Sequence, residues 1–103
     1  MYPGKQFTED AIKLIQEELI SLPVLEGLKG KLEELAKSLE GIKDNKTFLR
    51  TNRGARVAEA IFEKLKSLKE SGDREKAKEL FAVVEQEVAE LVEKCRTMVI
   101  RMT

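Results

Sequence analysis

The sequence predicts an all-α antiparallel helical bundle, most simply of four helices at about residues 8–21, 23–41, 45–71 and 73–101. Three observations predict it. Apolar residues recur at alternating intervals of three and four. Charged residues, 37% of the chain, fill the positions between them. Glycine, proline or short polar clusters then interrupt the pattern at the expected connections. With 103 residues the chain fits one domain, 1–103, because a single core serves roughly 100–200 residues.

Thr8 is placed to cap the first helix, with Glu9 and Asp10 in its first turn, where the helix dipole favours carboxylates. Phe7, Ala11, Ile12, Ile15, Leu19 and Leu22 give that helix its apolar side, and Pro23, acceptable only in a first turn, opens the second. There Leu25, Leu28, Leu32, Leu35, Leu39 and Ile42 form a 3.5-residue seam, with Gly27 and Gly30 weakening its start and Gly41 its stop. Asp44 or Asn45 is positioned to cap the third helix, with Thr51 or Asn52 as a later start. Ala55, Ala58, Ile61, Phe62, Leu65 and Leu68 line its buried side until Ser71 and Gly72, and Asp73 caps the fourth. In the fourth, Ala77, Phe81, Val84, Val88, Leu91, Cys95, Met98 and Met102 keep strict four-three spacing. Its length, about 42 Å, is roughly twice that of the first helix. Either four helices close up-down-up-down, or a short first helix caps a three-helix core and leaves part of the last free for a second subunit.

Cys95 is the single cysteine, which precludes an internal disulfide and suggests a reducing compartment, hence the cytoplasm. The opening Met-Tyr-Pro-Gly-Lys-Gln lacks the layout of a signal peptide, and no apolar run approaches the roughly 18 residues of a membrane span. Nineteen basic and nineteen acidic residues cancel, so net charge argues for neither nucleic acid nor membrane. The Glu- and Lys-rich composition, with two Asn, three Gln and no His, resembles that of thermophile proteins.

Without histidine, the commonest general base and the Ser-His, Cys-His and two-His metal motifs are all excluded. Glu17 with Glu18 and Glu33 with Glu34 are adjacent on helices and diverge by about 100°, so they read as solvated faces. Cys95 lies in an apolar seam and reads as a small hydrophobe, and Met98 and Met102 as core or interface filler. Gly27-Leu28-Lys29-Gly30-Lys31 matches neither the Gly-apolar-Gly loop of helix-hairpin-helix modules nor a KH module, which needs a sheet. The expectation is therefore a non-enzyme with no cofactor, metal or small-molecule substrate.

One stretch departs from neutrality. Residues 43–56 contain Lys43, Lys46, Arg50, Arg53 and Arg56 against Asp44, a net of +4, and the remainder of the neutral chain carries −4. If the third helix begins near Asn45, then Lys46, Arg50 and Arg53 share a face, with Arg56 beside it. Thr47, Thr51 and Asn52 would add donors, and Gly54 would let a backbone approach closely. Such a face suits phosphate contact driven by counterion release. The competing reading pairs these cations with carboxylates of the first two helices. Phe48 is the one ring within the stretch, so backbone contact is favoured over stacking.

In length, helical content and the basic face of Lys46, Arg50, Arg53 and Arg56, the chain resembles the small helical subunits of multi-subunit CRISPR effector complexes. The resemblance implies a subunit that lines a nucleic-acid path without cleaving it. Two functions follow as expectations. The first is a non-catalytic module on an RNA or DNA backbone within a larger assembly. The second is a protein-interaction or dimerisation bundle, natural or engineered, joined through its last helix.

Overall fold

Pro3, not Thr8, opens the first helix. In the computed structural model, which describes the backbone of residues 2–102 and side chains up to Thr97, α1 spans Pro3–Leu14. Proline at the first helical position has its fixed φ already helical and lacks an N–H that would go unpaired there. Thr8 lies inside the helix, buried, and its hydroxyl donates to the Gly4 carbonyl at 2.7 Å, so it satisfies itself against the preceding turn. The helix widens over Ile15–Leu19, where Ile20 N–H bonds to Ile15 O, and both Ile15 and Leu19 are fully buried.

A 3-10 segment, Pro23–Leu28, leads into α2, Lys29–Glu40. The tightened turn lies where Gly27 and Gly30 lower helix propensity. After the connection, α3 spans Asn52–Glu70 and α4 spans Arg74–Met102. Asp73 accepts from Glu75 N–H at 2.8 Å and caps α4 as its sequence indicates.

The seams pack as their spacing requires. Leu25, Leu32, Leu35, Leu39 and Ile42 are buried, as are Ala58, Ile61, Leu65 and Leu68 of α3 and every α4 seam residue from Ala77 to Cys95. The side chains of Met98 and Met102 lie outside the described residues. All four helices contribute to the core, so α1 is a full member and not a cap on a three-helix core.

Helices α1 and α4 each pack against both α2 and α3, placing α1 and α4 on one diagonal and α2 and α3 on the other. Gly4 and Gly54 flank the same turn at one end, and Lys69 pairs with Glu18 at the other, so α1 and α3 run parallel. The chain thus makes two helical hairpins joined across the diagonal. Direction alternates as expected, but α2 and α3, consecutive in sequence, are not the principal neighbours. At 1.5 Å per residue the 29 residues of α4 span about 44 Å, matching the molecule's 44 Å long axis. No helix among the described residues is long and apolar enough to cross a membrane.

Candidate nucleic-acid interface

The connection across the diagonal is the basic stretch itself. Its course is set by Asn45, whose Oδ1 accepts from Thr47 N–H at 3.1 Å, Thr47 Oγ1 at 3.2 Å and Leu49 N–H at 3.2 Å. An asparagine that satisfies these groups locally offers the backbone an alternative to helix. Phe48–Arg50 then form one 3-10 turn, with Phe48 and Leu49 buried beneath it. Thr51 supplies the cap: its Oγ1 accepts from Gly54 N–H at 2.9 Å, and α3 begins at Asn52.

Two glycines hold this turn. A Cβ on Gly4 would stand 2.1 Å from Leu49 O, and one on Gly54 1.9 Å from Phe48 O. Neither glycine has positive φ, so close approach, not backbone conformation, is what excludes a side chain. The approach expected at Gly54 is therefore made by the protein's own backbone, not by a phosphate.

The late start of α3 also corrects the expected geometry. Lys46, Arg50 and Arg53 do not share a helical face: Lys46 lies in a bend, Arg50 ends the 3-10 turn, and Arg53 is the second residue of α3. Arg53 and Arg56, a turn apart, both line a shallow hollow between α3 and α4 with Val57, Ala60, Glu87 and Glu90. Arg50 reaches back to the start of the chain, its Cζ 5.9 Å from the centroid of the Tyr2 ring. Tyr2 O–H donates to Asn45 O at 2.5 Å.

Charge pairing divides the set. Lys43 is half-buried with Nζ 2.8 Å from Glu40 Oε1, and that hydrogen bond raises its pKa. Asp44 is held by Lys5 of α1; this hydrogen bond, with the charges of Lys5, Lys43 and Lys46, lowers its pKa. Lys46, Arg50, Arg53 and Arg56 are exposed, and among the described residues none forms an ion pair. Among the described residues, pairing of the basic stretch with the first two helices is thus limited to Lys43 with Glu40 and Asp44 with Lys5. Of the α4 carboxylates that line this hollow, Glu87 has its Oε1 occupied by Lys64 at 2.8 Å and its Oε2 buried without a hydrogen-bond partner.

The neutral donors are mostly spent. The Thr47 hydroxyl donates to Asn45 and the Thr51 hydroxyl to Phe48 O at 2.7 Å, leaving Asn52 exposed. Cys95 is buried at 2% exposure, and burial pushes its thiol up to about 11, which suits a core residue and not a nucleophile. Among the described residues, no three of His, Cys, Asp and Glu stand together as a metal site.

Tyr2 and Gly4 are the parts of this region that sequence reasoning missed. Proline at position 3 was the available signal, because it places the helix start five residues before Thr8 and so brings Gly4 into the first turn. Comparison with family models, characterised proteins and solved structures finds no match.

Proposed function

We propose that this chain is a non-catalytic module that contacts the phosphate backbone of RNA or DNA through Lys46, Arg50, Arg53 and Arg56, as a small subunit of a larger nucleoprotein assembly. The observation that carries the reading is that these four exposed cations, close together in one segment, form no ion pair among the described residues, although the chain contains as many acids as bases. Cations left unneutralised in one short segment supply the counterion release that drives backbone binding. Lys43 belongs to the segment but contributes less, since Glu40 holds it. With hydroxyls turned inward and no groove-entering helix face assembled, the surface is suited to phosphates rather than base edges.

Charge reversal tests it. Arg50→Glu with Arg53→Glu is expected to abolish oligonucleotide binding, and Lys78→Glu, an exposed site on α4, to leave it nearly unchanged. Equal loss in both would attribute binding to general charge, against the proposal.

A second reading, association with another protein through α4, is favoured by Val83, a large apolar side chain 45% exposed on that helix. A concentration-independent monomer in sedimentation would count against self-association.

A further inference from the structure

We propose that Tyr2 and Arg50 form a composite stacking platform that makes single-stranded nucleic acid, not duplex, the ligand of this face; the proposal rests on the phosphate-binding reading above. The sequence places one ring, Phe48, inside the basic stretch, and it is buried in the core at 5% exposure. The fold supplies another from 48 residues away. Arg50 lies over the Tyr2 ring, and the Tyr2 hydroxyl is tied to the Asn45 carbonyl of the same connection.

That arrangement does two things. The ring's electron-rich face attracts the guanidinium and restrains an otherwise mobile side chain. The hydrogen bond fixes the ring to the segment that carries Lys46 and Arg50, so platform and phosphate contacts move as one unit. Arg50 is exposed and without an ion pair among the described residues, so its planar guanidinium remains open to solvent.

A guanidinium plane or aromatic ring is what an unpaired base stacks on, and stacking tolerates any sequence because every base has a π face. Duplex buries those faces in its own stack. It would therefore gain only the phosphate contacts of Lys46, Arg50, Arg53 and Arg56, whereas a single strand gains those and the stacking as well.

The test compares a short mixed-sequence DNA strand with the duplex of equal length, at one salt concentration, by fluorescence anisotropy on the full chain. The strand is expected to bind about tenfold more tightly than the duplex, the scale of one stacked base. Tyr2→Leu and Arg50→Lys are each expected to erase that preference, whereas Tyr2→Phe, which keeps the ring but loses its hydrogen bond to Asn45, retains part of it. Thermal melts of each variant separate misfolding from loss of stacking, and Arg50→Lys carries the test if Tyr2→Leu does not fold. Salt-dependent binding without strand preference, or a preference that survives both Tyr2→Leu and Arg50→Lys, would overturn the platform and spare the phosphate reading. Absence of salt-dependent binding to either form would overturn both.

Discussion

Gly54→Ala is the sharpest probe of how the basic connection is held. Gly54 is the third residue of α3, with ordinary negative φ, so helix propensity alone would favour alanine by about 1 kcal/mol. The structure reverses the sign. The new Cβ would lie 1.9 Å from Phe48 O, 2.7 Å from Phe48 C and 3.0 Å from Leu49 Cα, all backbone atoms that cannot rotate away. The 3-10 turn would have to retreat by more than ~1 Å, lifting Phe48 and Leu49 partly out of the core. Overpacking of this kind costs about 1–3 kcal/mol. In a domain of this size each kcal/mol lowers Tm by about 4–8 °C, so a fall of roughly 5–20 °C is expected in a far-UV circular dichroism melt. Gly30→Ala, where nothing lies within 4 Å of the added Cβ, is the control and should hold or raise Tm. A Gly54→Ala protein as stable as its parent would refute the close approach.

Two other outcomes follow from the electrostatics and the core. Asp44 is held below its ordinary value of 3.8 chiefly by its hydrogen bond to Lys5, so its contribution to stability is complete above that value and lost as pH falls through the lowered one. The parent should therefore exceed Asp44→Asn in Tm near neutrality and converge with it in acid; parallel curves down to low pH would deny the pair any role. Cys95, with its thiol pushed from 9.0 up to about 11, carries roughly 100-fold less thiolate near neutrality than an unshifted cysteine. A thiol reagent should label it at least that much more slowly in the folded protein than in denaturant, and equal rates would show that the α4 seam is open there.

Helix type and core were legible because period depends on local spacing. Leu25, Leu32 and Leu39 of the second seam, and Phe81, Val84 and Leu91 of the fourth, are buried where their intervals put them. Starts were less legible because two signals competed. Thr8 and Asn45 both have the chemistry of caps, but Thr8 bonds back within α1 and Asn45 folds the connection onto itself. What decided between them was tertiary: Leu49 is fully buried and its turn fits between Gly4 and Gly54. The same fact dispersed the expected face of Lys46, Arg50 and Arg53, and it brought Tyr2 beside Arg50, a meeting that no local pattern encodes.

The most direct test of the functional account is the slope of log affinity against log salt concentration for a single-stranded oligonucleotide. Four unpaired cations on phosphates give an expected slope of about −3, at ~0.7 counterions released per contact on a single strand. Arg50→Glu with Arg53→Glu should eliminate the binding from which that slope is read. A slope near zero in the parent protein, or no binding even at low salt, would contradict the account.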